Sequence, residues 1–204
     1  MASIEKLKFK DINLEDDFFD SLKEDYPGFD KWFCRKADEE TFILRNDDGI
    51  QAFLYMKEEV DEDEKIEPKI ELDEKRILKV GTFKINAHGT KLGERFIKLI
   101  FDRMIEKKFR KAYVTIFEKH LSLITLLIKY GFQYHGKKGN ESVYIKNFDK
   151  ITGDIQKDYP MIKLEGNKNL FYLYIQCIIQ NYFLIQNCTQ KEIILQKIYH
   201  IQIV

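Results

Sequence analysis

Residues 80–96 read VGTFKINAHGTKLGERF, and this stretch decides the fold. Its first half ends a run of β-favouring side chains from Arg76 to Ile85, which predicts a long strand. Its second half opens an apolar pattern with helical spacing that begins at Leu92. A strand that turns directly into a helix gathers free backbone N–H groups and the positive end of the helix dipole at one point, which favours phosphate. Any strand-to-helix turn can use a glycine, so this pattern alone leaves open a plain connection.

The segments on either side alternate between strand and helix. Before this stretch, the sequence predicts a strand at 7–10, helices at 14–26 and 29–37, and a hairpin of two strands at 41–45 and 50–60. After it, the sequence predicts a helix from Leu92, a strand at 112–117, a helix at 120–130, and a hairpin of two strands at 132–135 and 142–148. We therefore expect an α/β fold with a mixed, mostly antiparallel central sheet and flanking helices.

The composition is that of an ordinary soluble globular protein. The 204 residues include 34 basic and 34 acidic side chains, and 44% are hydrophobic. This balance gives no overall attraction to nucleic acid or to an anionic membrane, so we expect no membrane partner. The chain starts with charged residues rather than an apolar signal segment, and its cysteines form no Cys-x-x-Cys pair. We therefore expect a cytoplasmic protein without a metal site.

The last 36 residues differ in composition from the rest of the chain. Residues 169–204 carry only three charges, on Lys191, Glu192 and Lys197, among many Ile, Leu, Tyr, Phe, Gln and Asn residues. The last predicted hairpin ends at residue 148 and the shift begins at 169, so we expect a domain at 1–148, followed by a connection and a short apolar extension at 149–204. Two interpretations of the tail stay open: a native element that covers the sheet or forms a homodimer contact, or a tail translated out of frame.

The segment from Val80 to Phe132 resembles the core of the GNAT superfamily, the acetyl-CoA-dependent N-acetyltransferases. The family's pyrophosphate loop reads Arg/Gln-x-x-Gly-x-Gly/Ala, and residues 88–93 here read His-Gly-Thr-Lys-Leu-Gly. Gly93 keeps the final glycine, whereas His88 stands where Arg or Gln is usual and Lys91 where the first glycine is usual. Because backbone amides hold the pyrophosphate in this loop, Lys91 supplies a donor as well as glycine does.

The resemblance extends over residues 7–148 and implies a GNAT-type acyltransferase fold that binds acetyl-CoA. The family's next strand and helix end in a Gly-Phe pair, which is Gly131-Phe132 here. By similarity, the amides of Lys91 to Glu94 hold the pyrophosphate, and Phe83 and Ile85 pair their backbone with the pantetheine arm as an added strand does. The implied cofactor-binding residues are Phe83, Ile85, His88, Gly89, Thr90, Lys91, Leu92, Gly93, Glu94 and His120.

The resemblance also implies an activity: transfer of an acetyl group from acetyl-CoA to an amine of a small-molecule or protein acceptor. The family's usual proton donor is a Tyr four residues before the Gly-Phe pair, but that position is Leu127 here, which cannot donate. His120 replaces an Asn that commonly touches the cofactor arm. Tyr130 and His120 are alternative acids, so the catalytic residues are left unassigned.

The proton acceptor is equally open on the sequence. Glu40, Glu71 and Asp73 precede predicted strands, where a carboxylate can relay a proton through water. Exposed carboxylates are common at such places, so none is assigned.

Leu127 also favours a second interpretation, a catalytically silent GNAT-like module that binds acyl-CoA or RNA for regulation. A set of basic residues would serve RNA, although it lacks the interleaved aromatic side chains of a stacking platform; the set is Lys107, Lys108, Arg110, Lys111, Lys137 and Lys138. A nucleic-acid partner therefore stays open.

Overall fold

The computed structural model describes residues 3–60, 65–72, 76–86 and 91–148, together with Asp154 and Lys157. The chain divides into two units, Met1–Pro160 and Met161–Val204, and every described residue belongs to the first. Apart from Asp154 and Lys157, the predicted connection and extension at 149–204 lie outside the described residues. The division of the chain at residue 148 therefore stays a prediction.

Eight strands and four α-helices make up the described part of the chain. The strands are β1 Ile4–Lys8, β2 Glu40–Asn46, β3 Gly49–Glu59, β4 Ile66–Glu67, β5 Ile77–Ile85, β6 Lys111–Ile116, β7 Gln133–Lys138 and β8 Glu141–Asn147. The helices are α1 Asp20–Asp25, α2 Phe29–Arg35, α3 Leu92–Glu106 and α4 Leu121–Lys129. Two short 3-10 turns lie at Phe9–Asp11 and Asp17–Phe19. Within the described residues, no helix is long and apolar enough to cross a membrane.

All eight strands belong to one sheet, in the order β1-β2-β3-β5-β6-β8-β7-β4. The pairing of β5 with β6 is parallel, and the other pairings between described strands are antiparallel. The expected α/β class with a mixed, mostly antiparallel sheet is therefore confirmed. The single parallel pair lies at the centre, with antiparallel hairpins on both sides.

The two faces of the sheet carry different helices. Directly opposed residues of an antiparallel pair point to the same face, so Leu54 and Phe83 share one face and Tyr55 and Thr82 the other. Phe83 stacks on Phe96 of α3, with ring centroids 6.2 Å apart. Tyr55 belongs instead to an aromatic core built from β1 to β3 and the helices α1 and α2, which includes Phe9, Phe18, Phe19, Phe29, Phe33 and Phe53.

The first predicted helix, at 14–26, is wrong at its start. The side chain of Asn13 accepts a hydrogen bond from the amide of Glu15 at 3.1 Å, and that of Asp16 accepts one from Phe18 at 2.9 Å. These local bonds replace helical ones, so a 3-10 turn precedes α1, which starts only at Asp20. The first strand also lies earlier than predicted, because residues 9–11 form a 3-10 turn.

The last hairpin was predicted to turn around residues 136–139, but it turns at Gly139 and Asn140. Gly136 lies inside β7, where an added Cβ would stand 2.1 Å from the carbonyl oxygen of Glu67. The missing side chain at Gly136 therefore allows β4 to pair with β7. The sequence did not predict β4, because two residues carry too little periodicity.

Candidate active-site cleft

The two parallel strands at the centre of the sheet separate before either one ends. β5 and β6 pair at Leu78 with Ala112, at Lys79 with Tyr113 and at Val80 with Val114. Beyond this last pair, β5 continues to Ile85 and β6 to Ile116 without pairing to each other. The separated ends border a cleft of about 1350 Å³.

A β-bulge lies where the separation begins. Along β3, Tyr55 pairs with Thr82 but Met56 pairs with Val80, so Gly81 is the extra residue. A Cβ on Gly81 would stand 2.7 Å from Cδ1 of Tyr55, whose side chain is buried. The bulge therefore requires glycine. A lone glycine within a strand pattern is a signal for a bulge, and Gly81 is such a signal in this sequence, although no bulge was predicted from it.

One wall of the cleft is apolar and is formed by β5, α3 and α4. Phe83 and Ile85 of β5, Gly93 and Glu94 of α3, and Leu123 and Leu126 of α4 line it. A Cβ on Gly93 would stand 2.6 Å from Cδ2 of Leu126 and 3.4 Å from Cδ1 of Ile85. Gly93 therefore allows the first turn of α3 to pack closely against α4 and the end of β5.

The N-terminus of α3 lies at the same wall. Lys91 precedes the helix, is exposed and makes no capping side-chain hydrogen bond, whereas the side chain of Leu92 is buried. Three residues of the predicted loop, His88, Gly89 and Thr90, lie outside the described residues. The structure thus brings Phe83, Ile85, Gly93 and Glu94 to the cleft, with Lys91 and Leu92 adjoining them in the chain.

The carboxylate of Glu94 is bound by α4. Lys129 donates a hydrogen bond to it at 2.8 Å, and the hydroxyl of Tyr130 donates another. Burial raises the pKa of Glu94, but these two hydrogen bonds and the charge of Lys129 outweigh burial, so its pKa lies below the ordinary value. Glu94 is therefore ionised at neutral pH, and its charge is held toward α4.

Neither Leu127 of α4 nor Tyr130, which follows α4, offers an acid to the cleft. Leu127, at the family's usual tyrosine position, is fully buried in the core. Tyr130 is 1% exposed, bonds to Glu94 and does not line the cleft. Of the two sequence-based alternatives for the acid, only His120 lines it.

The opposite wall is polar and contains a pair that the sequence did not predict. Nε2 of His120, at the start of α4, lies 3.2 Å from Oδ2 of Asp25, at the end of α1. Lys119 forms an ion pair with the other oxygen of the same carboxylate. These residues are far apart in sequence, and no spacing rule connects them.

A second polar contact on this wall joins α1 to the last hairpin. The hydroxyl of Tyr26 donates a hydrogen bond to Oε1 of Glu141 at 2.8 Å, and its ring packs on Phe117 with centroids 5.2 Å apart. Burial and the neighbouring Glu141 carboxylate raise the pKa of Tyr26 far above its ordinary value. Tyr26 therefore keeps its proton and acts as a hydrogen-bond donor.

Lys84 holds α1 against β5 on this wall. Its Nζ donates hydrogen bonds to the backbone oxygen of Phe18 and, at 2.7 Å, to Oγ of Ser21. Burial lowers the pKa of Lys84, although nearby acidic residues, among them Asp20 and Asp25, act in the other direction.

Two of the three carboxylates proposed from sequence as proton acceptors lie away from the cleft. Glu40 pairs with Lys6 at 2.5 Å and does not line the cleft. Glu71 does not line it either, and Asp73 lies outside the described residues.

Known proteins resemble this chain in fold, but no sequence match to a family or a curated protein is found. Among solved structures, an N-acetyltransferase from Staphylococcus aureus Mu50 matches with a TM-score of 0.53 and 11% identity, over 74% of this chain and 99% of that one.

Two further solved structures match almost as well. The PaiA N-acetyltransferase from Thermoplasma acidophilum, in complex with coenzyme A, has a TM-score of 0.50 and 13% identity, over 72% of this chain and 99% of its own. An acetyltransferase of the GNAT family from Streptococcus pneumoniae has a TM-score of 0.50 and 11% identity over the same shares. The chain therefore has the fold of the GNAT superfamily, as its sequence motifs predicted.

Proposed function

We propose that this protein is an N-acetyltransferase that moves an acetyl group from acetyl-CoA to an amine. The observation that carries the proposal is the separation of β5 from β6 directly beside the N-terminus of α3. This arrangement offers two features that a CoA thioester needs, an unpaired strand edge for its extended arm and a helix N-terminus for its pyrophosphate. The GNAT fold of the chain and the coenzyme A complex of the Thermoplasma acidophilum protein support it.

The residues present fit this cofactor. After Val80, β5 pairs with β3 along one edge, and within the described residues no strand pairs with its other edge, which would face the pantetheine arm at Phe83 and Ile85. The backbone amides of Lys91, Leu92, Gly93 and Glu94 lie at the N-terminus of α3, where the helix dipole favours an anion, and they would hold the pyrophosphate. His88, Gly89 and Thr90 belong to this proposal on their sequence alone, and His120 through its place in the cleft.

When bound, CoA supplies the acetyl group as a thioester. The protein's own contribution is to align and shield it: Phe83, Leu123 and Leu126 give the cleft an apolar wall that excludes water. The polar wall, with Asp25, Tyr26 and His120, is where we expect the amine of the acceptor to enter. An amine of a small molecule and an amine of a protein both fit this proposal as the acceptor. We also propose that the protein acts in the cytoplasm.

A second candidate function is a silent module that binds acyl-CoA without transfer. Two observations favour it, namely that Leu127 is buried and apolar and that Tyr130 is bound to Glu94. An RNA-binding version has less support, because several members of the basic set bind within the protein. Lys137 pairs with Glu118 at 3.1 Å, and Lys111 donates to the backbone oxygen of Glu71 at 2.8 Å.

A CoA-release assay separates transfer from silent binding. The full-length protein is incubated with acetyl-CoA and a panel of amines, peptides and aminoacyl compounds, and the free thiol is measured. We expect release that depends on at least one amine. Binding of CoA without release for every acceptor class would leave the silent module, and absence of both would remove the proposed function.

A further inference from the structure

The side chains of Asp25 and His120 meet across the polar wall of the cleft although 95 residues separate them in the sequence. The Asp25 side chain is 11% exposed, whereas the His120 side chain is 41% exposed. The carboxylate is thus largely enclosed, while the imidazole stays accessible from the cleft. Both side chains line the cavity in which the acyl group and the amine would meet.

The contact fixes which ring nitrogen holds the proton. Asp25 also pairs with the ammonium of Lys119, and a carboxylate in an ion pair offers only hydrogen-bond acceptors. Nε2 of His120 must therefore be the donor, and it carries the hydrogen. In the neutral imidazole the lone pair is then on Nδ1, which is the atom able to take a proton.

Competing groups on the described walls of the cleft are less suited to accept a proton. Tyr26 keeps its own proton and donates a hydrogen bond to Glu141. Lys84 is bound to Phe18 and Ser21. Glu94 is bound by Lys129 and Tyr130. Among the described residues of the cleft, His120 is the imidazole, the side chain that ordinarily exchanges a proton near neutral pH.

We propose that His120 accepts the proton of the acceptor amine through Nδ1 and that Asp25 is the positioning residue that holds the ring in this tautomer. This inference rests on the proposed acetyl transfer. As the amine nitrogen forms its bond to the acetyl carbon, the carbon–sulfur bond breaks and the nitrogen loses one proton to Nδ1. The sulfur leaves as a thiolate and takes this proton back from the His120 imidazolium, directly or through water, which yields the CoA thiol and restores the neutral ring.

Charged side chains from several elements line the cavity that contains the ring, among them Arg35, Lys36, Lys57, Lys79 and Glu94. Asp25 on α1 contacts the ring, and Lys119, which precedes His120 in the chain, pairs with the same carboxylate. Lys84 on β5 and the hairpin residues Lys138 and Glu141 line the same cavity. An effect of pH on the reaction must therefore be assigned with variants of His120 itself.

The test compares His120→Gln and Asp25→Asn with His135→Gln as the matched control. His135 lies in β7, outside the cleft, where its Nε2 is 2.8 Å from the backbone oxygen of Pro68. Three quantities are measured in the full-length proteins: the histidine tautomer from nitrogen NMR without ligand, the Kd for CoA by calorimetry, and the pH profile of kcat/KM.

We expect the ligand-free wild type to show the proton of His120 on Nε2, and Asp25→Asn to lose this preference. His120→Gln should lower kcat/KM by about 10²–10⁴-fold and remove the acidic limb of its pH profile. Its Kd for CoA should change by less than about tenfold, which is 1.4 kcal/mol. Asp25→Asn should lower kcat with little change in KM, and His135→Gln should behave as the wild type.

The outcomes separate the two proposals. If the wild type is active and the acidic limb of the pH profile survives in His120→Gln, the role of His120 is overturned and acetyl transfer stays intact. The same holds if the wild-type ring carries its proton on Nδ1. A wild type that releases no thiol with any amine would overturn both.

Discussion

Val80 and Val114 are the last residues at which the two parallel central strands pair. The residue that follows Val80 is Gly81, the extra residue of the bulge against β3. The bulge and the separation therefore coincide at one point of β5. Beyond it, no described strand pairs with the edge of β5 at the cleft, and this local change in pairing creates the proposed cofactor site.

The first prediction concerns the bulge. Gly81→Ala should lower the free energy of unfolding by about 1–3 kcal/mol, because the new Cβ would stand 2.7 Å from the buried ring of Tyr55. Urea denaturation measures the change. Thr82→Ala is the matched control, since it removes atoms at the next position instead of adding one. Equal stability of Gly81→Ala and the wild type would show that the ring moves freely and that glycine is not required.

The second prediction concerns pH and Glu59, the partly buried last residue of β3. Burial raises the pKa of Glu59, but hydrogen bonds from Lys57 and Tyr113 and the charge of Lys79 outweigh it and hold the pKa below its ordinary value. A carboxyl group whose pKa is lowered on folding stabilises the protein above its unfolded pKa, and this stabilisation is lost as the pH falls through the folded pKa.

Glu59→Gln should therefore cost about 1.5–3 kcal/mol of stability at pH 7, and the difference from the wild type should shrink with acidification below about pH 4. Denaturant unfolding of the wild type and Glu59→Gln, at pH 7 and again below about pH 4, measures this difference in stability. Glu58→Gln is the control, because Glu58 is more exposed and its oxygen lies 3.7 Å from Arg76. A loss for Glu59→Gln that is equally large in acid would contradict the assignment.

The fold was predictable because the long elements have clear periods. The predicted start of the helix at Leu92 and both predicted ends of the strand from Arg76 to Ile85 agree with the structure within a residue. The start of α1 was not predictable, because the hydrogen bonds of Asn13 and Asp16 compete with the helix and leave no mark on the apolar pattern.

The candidate site was predictable only in part. A strand that runs into a helix indicated the apolar wall, with Phe83, Ile85 and Gly93. The contact between Asp25 and His120 was not predictable, because it depends on how α1 packs beside α4 in three dimensions. No local sequence rule brings residues so distant in the chain together.

The third prediction concerns the tail. Truncation after Lys168 should leave the Kd for CoA within about threefold, roughly 0.65 kcal/mol, because the proposed cofactor residues all precede residue 149. We expect a change in sedimentation or light scattering, since the 36 removed residues carry only three charges. A truncated protein that stays folded but binds CoA a hundredfold more weakly would assign the tail to the active site.

The central claim is that the segment 83–94 binds CoA, and calorimetry with the full-length protein tests it most directly. We expect the wild type to bind, and Gly93→Val to weaken binding by tenfold or more, because its added methyl groups would crowd Leu126 and Ile85 beside the first turn of α3. Gly93→Ala is the control and should weaken binding less, since its Cβ meets only the flexible end of Leu126 closely. No binding by the folded wild type at millimolar CoA would contradict the account.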